Sequence, residues 1–275
     1  MTGSYENHIM ILIMKSIPIF QVDAFTDECF GGNPAAVCPL EKWLPDDIML
    51  SIASENNLSE TAFVNINTSP FAIRWFTPTM EVDLCGHATL ATARILFDEY
   101  VSSDIKEIEF NSNRGSLRAF LKNNKIFLDF PSDSPSIIDI DPIVSEALGA
   151  EPKELLRGKD DILAILDNES EIKHMKPDFS KIYELDCRGL IISAEGNHVD
   201  FVSRVFGPKC GINEDPVTGS AHTLMIPYWS KVQNKSKFKA QQLSARGGSL
   251  DCELTDDRVF IGGSSYRYME GKITF

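Results

Sequence analysis

Twice this chain passes from a polar loop through a glycine into a helix of small and apolar residues: "EVDLCGHATLATARILF" over residues 81–97 and "GPKCGINEDPVTGSAHTLMIPYW" over 207–229. A helix that is apolar all round has to be buried all round. Gly86-His87-Ala88-Thr89-Leu90 and Gly219-Ser220-Ala221-His222-Thr223-Leu224 occupy equivalent places in their halves, so the chain reads as two similar domains.

The first N–H groups of a helix lack partners within it and carry partial positive charge, so a start that glycine leaves open binds carboxylate or phosphate well. Two such starts facing each other across a cleft would hold an anion between domains. The alternative is that Asp83 and Asp215 simply cap their helices. That the loops occur as a pair favours a site.

Short apolar runs broken by Gly, Pro, Asn and Asp predict strands over 17–25, 35–38, 59–65, 71–76, 105–110, 115–121 and 125–130. More follow over 161–166, 189–194, 199–206, 239–245, 250–254, 259–263 and 266–275, which makes an α+β chain. Pro45 with Asp46 and Asp47 marks a helix to about residue 55; others run over 88–97 and from Asp141-Pro142 to Gly149. Pro131-Ser132-Asp133-Ser134-Pro135 breaks both periodicities and is expected to divide a domain over 14–130 from one over 131–275, whose last strand can cross back to the first. An apolar run over 9–14 is too short for a signal sequence and follows Glu6, and Met14 reads as a second start, so residues 1–13 are expected to be an N-terminal extension.

With 40 acidic against 26 basic residues the net charge is −14, a field that repels nucleic acid and anionic membranes, and neither is expected as a partner. The six cysteines are scattered without a C-x-x-C pair in a chain too large to need disulfides, which fits a reduced, cytoplasmic setting.

Three chemistries compete for Asp83-Leu84-Cys85-Gly86-His87. A metal site needs three or four convergent ligands; Cys85 and His87 are two, with nothing else near in sequence, and no metal is expected. Cys85 as a nucleophile lacks a companion motif and reads better as a small buried apolar residue. Glu60, in "NNLSETAFV", stands at the mouth of an apolar strand where desolvation would raise its pKa toward neutrality and fit it to take and return a proton. His174 and His198 read as surface residues, and Arg246-Gly247-Gly248 as a hairpin turn with an anion-binding arginine as the alternative.

Val22-Asp23-Ala24-Phe25 with Gly31-Gly32-Asn33-Pro34-Ala35, Leu58-Ser59-Glu60-Thr61-Ala62-Phe63, Cys85-Gly86-His87-Ala88-Thr89, Glu214-Asp215-Pro216-Val217-Thr218-Gly219-Ser220-Ala221-His222 and Gly262-Gly263-Ser264 resemble, in order and placement, the PhzF-like phenazine biosynthesis family. The resemblance implies the diaminopimelate epimerase-like fold: two pseudo-symmetric domains, each a β-barrel-like sheet around a central helix, with the active site between them. It implies a cofactor-free isomerase that moves a proton between carbons of a small anionic metabolite, as in trans-2,3-dihydro-3-hydroxyanthranilate isomerisation, and it implies a homodimer. On that footing Glu60 is the acid/base, His87, Asp215 and Ser220 orient the substrate and assist proton transfer, and Gly86 and Gly219 offer N–H groups to its carboxylate. Asp23 and Asn33 fall in family motifs near the cleft, where Asp23 can equally hold a loop. A two-thiol racemase of this fold is the alternative, supported by Cys85; Pro216 stands where its second cysteine belongs, with Cys210 six residues earlier. A protein that binds a metabolite without turning it over is the third reading.

Overall fold

The computed structural model describes residues 15–275; the extension expected over 1–13 lies outside them. The first half runs β1 (Ser16–Ala24), β2 (Asn33–Leu40), α1 (Asp46–Asn56), β3 (Glu60–Asn65), β4 (Phe71–Phe76), β5 (Glu81–Val82), α2 (Gly86–Glu99), β6 (Glu107–Ser112), β7 (Gly115–Lys122) and β8 (Lys125–Pro131). The second runs β9 (Ser136–Ile138), α3 (Pro142–Leu148), β10 (Glu154–Arg157), β11 (Asp161–Ile165), α4 (Glu169–His174), α5 (Phe179–Glu184), β12 (Gly189–Glu195), β13 (Phe201–Gly207), β14 (Ile212–Asp215), α6 (His222–Gln233), β15 (Lys237–Gln242), β16 (Gly248–Thr255) and β17 (Arg258–Gly263), before β18 (Ser265–Thr274).

Strand pairing makes the internal symmetry explicit. In the order β18-β1-β2-β3-β4-β6-β7-β8 the pairs are antiparallel except β2–β3 and β4–β6. In the order β9-β10-β11-β12-β13-β15-β16-β17 they are antiparallel except β11–β12 and β13–β15, at the same two positions. Both parallel pairs in each half are spanned by helical crossovers, as parallel pairing requires. The halves join where β8 pairs with β17 and where β18 pairs with β1. The result is the pseudo-symmetric, diaminopimelate epimerase-like α+β fold.

The first half wraps α2, which packs against β1, β2, β3, β7, β8 and β18. Every residue from Gly86 to Phe97 is buried, and fully buried Leu90, Ile95 and Leu96 each contribute about 1.5–3 kcal/mol. Helix α1 instead rides outside the sheet: Pro45 presets its start and Met49, Ile52 and Ala53 turn inward at i, i+3 and i+4. Within α6, Pro227 supplies no N–H to the Thr223 carbonyl. That carbonyl is taken by Asp133 N–H at 3.0 Å, so the segment between the halves is tied to the second central helix.

The short strands β5, β9, β10 and β14 and the six-residue helices α4 and α5 are absent from the sequence reading. Strand β15 ends at Gln242, because the chain turns through Ser244–Gly247 with Gly247 at φ 65°. Among the described residues, no helix is long and apolar enough to cross a membrane.

Candidate active site

Glu60 opens β3, His87 is the second residue of α2, and the sheet brings them together. His87 Nε2 lies 3.1 Å from Glu60 Oε2, with both side chains largely buried. The N–H direction misses the oxygen, so the contact is an ion pair and Oε2 remains buried without a hydrogen bond. The Cys85 sulfur lies 3.5 Å from His87 Nδ1. One donor atom from each of Glu60, Cys85 and His87 falls within 4.8 Å of the others. This corrects the expectation that Cys85 and His87 stand without a third donor: Glu60 supplies it from 25 residues before Cys85 in the chain.

Electrostatics correct a second expectation. Burial alone would push the Glu60 carboxyl up, but the charge of His87, with the polar atoms of His87 and Cys85 set against the carboxylate, outweighs it and holds Glu60 below the usual carboxylate value. Burial likewise opposes charge on His87, yet Cys85 and Glu60 raise its pKa well above the usual imidazole value. The Cys85 thiol is itself pushed up to about 11, first by burial and then by Glu60, so it is uncharged at neutral pH and Glu60 is the partner that keeps His87 protonated. Cys, His and Glu are donors through which zinc is commonly held, and a bound cation would itself displace the thiol proton. Without one, the three form at neutral pH a charged acid/base pair with an uncharged thiol beside it.

Asp215 closes β14 on the other side. It accepts from Asn33 Nδ2 at 2.8 Å and Thr218 Oγ1 at 2.5 Å. Burial raises its pKa, opposed by His87, while the Glu60 charge pushes it further up, so Asp215 belongs to the same electrostatic cluster. Asn33 is fully buried and also donates to Val217 O at 2.9 Å; its Oδ1 has no partner. Gly86 is the first residue of α2, whereas Gly219 lies in the turn before α6, which starts at His222, and the two glycines meet: a Cβ on Gly86 would stand 3.7 Å from Gly219 Cα and 3.9 Å from Ser220 N. Ser220 Oγ accepts from Arg188 Nη2 at 3.3 Å.

Asp23 is engaged elsewhere. Its carboxylate takes Arg246 Nη2 at 2.9 Å and Phe30 N at 3.2 Å, and Arg246 also donates to the Gly31 and Gly32 carbonyls at 2.8 Å each. Arg246 therefore both flanks a turn and holds the Gly31-Gly32 loop of the other half. Gly32 sits at φ 62°, where a Cβ would come 2.1 Å from Ala24 O. His174 and His198 are exposed. Hollows of about 220 and 290 Å³ open elsewhere on the surface, around Phe25 and Leu250 and around Phe120 and Phe260; neither contains the Glu60 cluster, and convergent functional groups identify a site better than volume alone. Arg188 is missing from the sequence expectations because a lone arginine before a strand has no periodic or motif signal.

Known proteins match the chain over most of its length. Residues 22–271 match the PhzC-PhzF family model, described as phenazine biosynthesis-like protein. The chain is 46% identical over 257 residues to a protein of Pseudomonas aeruginosa called an uncharacterized isomerase, covering 94% of this chain and 98% of that one. It is 43% identical to a similarly named protein of Halalkalibacterium halodurans, covering 94% and 99%. The crystal structure of a PhzF-family phenazine biosynthesis protein from Enterococcus faecalis superposes with a TM-score of 0.91 at 48% identity, over 94% of this chain and 99% of that one. A hydroxyproline epimerase from Agrobacterium vitis shares the fold alone, at 9% identity and a TM-score of 0.59 over 94% and 93%. The chain belongs to the PhzC-PhzF family of phenazine biosynthesis-like proteins.

Proposed function

We propose that this protein is a cofactor-independent isomerase that moves a proton between carbons of a small carboxylate-bearing metabolite resembling trans-2,3-dihydro-3-hydroxyanthranilate. The observation that carries this reading is Glu60: a largely buried carboxylate kept ionised by His87, its Oε2 shut away from water beside the start of α2. A carboxylate in that state is a base that water has not already satisfied. Glu60 takes a proton from one carbon, the released electron pair shifts through the adjacent π system, and Glu60 returns the proton to another carbon; no redox change occurs. The His87 imidazolium and the Asp215–Asn33 pair stabilise charge that develops as the proton leaves. Ser220 and the N–H groups of Gly86 and Gly219 receive the carboxylate. The isomerase names of the bacterial relatives support the reaction class.

The Cys85 sulfur beside His87 favours a second reading, thiol-based epimerisation. Against it stand the raised thiol pKa and the exposed Cys210, whose sulfur faces the Arg188 carbonyl at 3.9 Å. The test is NMR of the protein with trans-2,3-dihydro-3-hydroxyanthranilate in deuterated water. Deuterium is expected to enter a ring carbon with the wild type and with Cys85→Ser, and about 100-fold or more slowly with Glu60→Gln. Unchanged turnover by Glu60→Gln sinks the proposal, and loss on Cys85→Ser alone transfers the chemistry to the thiol.

A further inference from the structure

We infer that Arg188 is a specificity-determining residue of this site, reading the substrate's carboxylate together with Ser220; the inference rests on the carboxylate-binding reading above. Arg188 precedes β12 in the second half and is aimed by Asp161, the first residue of the neighbouring β11. Its Nε donates to Asp161 Oδ1 at 2.9 Å and its Nη2 to Oδ2. Nη2 also reaches Ser220 Oγ at 3.3 Å, and among the described residues Nη1 makes no hydrogen bond. The guanidinium is thus fixed at one end by a buried carboxylate and left with free donors at the other, its side chain 43% exposed.

Its position follows from its neighbours. Ser220 N is the atom that a Cβ on Gly86 would approach at 3.9 Å, so the hydroxyl held by Arg188 belongs to the residue lying against the first helix start. Cys210, whose sulfur faces the Arg188 carbonyl, feels the charges of Arg188 and Asp161 and also those of Asp215 and Glu60. A second, independent sign of a missing ligand is Asn33 Oδ1, fully buried and unpartnered beside Asp215. A substrate with a hydrogen-bond donor for Asn33 and a carboxylate for Ser220 and Arg188 would satisfy both ends. The chemistry also needs a further local cation: a chain of net charge −14 repels an anionic substrate, the His87 charge is matched by Glu60, helix starts offer only partial charges, and a planar guanidinium suits carboxylate.

The test compares binding of anthranilate and of anthranilamide, which lacks the charge, by calorimetry. Wild type is expected to favour anthranilate by about tenfold or more, the scale of a charge-assisted hydrogen bond at a half-exposed site. Arg188→Met should erase that preference by weakening anthranilate binding far more than anthranilamide binding, and Arg188→Lys should restore part of it. Because Arg188→Met strands the buried Asp161 carboxylate, the Asp161→Asn/Arg188→Met double variant is measured alongside and should show the same lost preference. A preference that survives in both Met variants overturns the inference and leaves the helix starts as the carboxylate receptor. A wild type without preference, or without binding of either probe, overturns the carboxylate pocket and the inference together. Proton transfer by Glu60 is judged separately, by deuterium incorporation.

Discussion

Glu60 shows how one neighbour reverses what burial does to a group. The strand around it correctly suggests desolvation, but the sign of its shift depends on His87, 27 residues further on, and no local pattern carries that pairing. The consequence for stability has a definite direction. Glu60 is held below its ordinary 4.5, so the stability it adds is complete above that pH and is lost as pH falls through the folded value. His87 is held above its ordinary 6.5, so its contribution is complete below that pH and is lost as pH rises through the folded value. The pair should therefore stabilise most between about pH 4.5 and 6.5. Melting curves across pH are expected to show wild type exceeding His87→Gln most in that window. In the same variant burial of Glu60 is opposed by Cys85 alone, so the acid limb of the rate profile should move to higher pH; a limb that stays in place would mean the two groups do not titrate together.

At the scale of elements, long apolar segments announced themselves and short ones did not. Helix α2 was legible because an unbroken run of small and apolar residues leaves no solvent face, and β4 was read over its whole length as 71–76. Two-residue β5 and four-residue β14 have too few residues for a period, and they exist because β4 and β13 offer them an edge. Helix α4 did have a signal: Asn168 accepts from Glu171 N at 3.1 Å while Glu171 accepts from Asp167 N at 3.2 Å, a capping arrangement visible as Asn-x-x-Glu. The glycine at the start of α2 provides the prediction at this scale. A methyl at Gly86 makes only ordinary van der Waals contacts in the folded chain, the nearest at 3.7 Å. Gly86→Ala is expected to keep its melting temperature within a few degrees, an effect of about 1 kcal/mol, yet to lose carboxylate binding by about tenfold because the methyl stands beside Ser220 N. Equal binding by the two proteins would remove Gly86 from the anion pocket.

Across the whole molecule, the repeated loop and helix told that there are two similar halves, and the last strand was expected to be able to cross back to the first, but nothing in the pattern pointed to the pairing of β8 with β17. Strand pairing between β8 and β17 and between β1 and β18 is long-range, and any apolar strand looks equally able to make it. Arg246 was equally opaque: its two glycine neighbours mark a turn, while its value lies in reaching across to Asp23 and two carbonyls of the Gly31-Gly32 loop. That loop leads directly into Asn33, which holds Asp215, so the clamp and the site are continuous along the chain. The Asp23 side chain is 2% exposed and the Arg246 side chain 32%. Removing the arginine leaves a nearly buried carboxylate without its countercharge, and Arg246→Ala should destabilise the protein by about 3 kcal/mol in urea unfolding. Asp23→Asn/Arg246→Ala removes both charges and should recover a substantial part of that loss, whereas additive single losses would show that Arg246 acts through the loop carbonyls alone. Because the clamp sets the position of Asn33 and through it Asp215, the rate of proton transfer should fall in Arg246→Ala even at temperatures where it remains folded, with the Glu60–His87 pH profile unmoved.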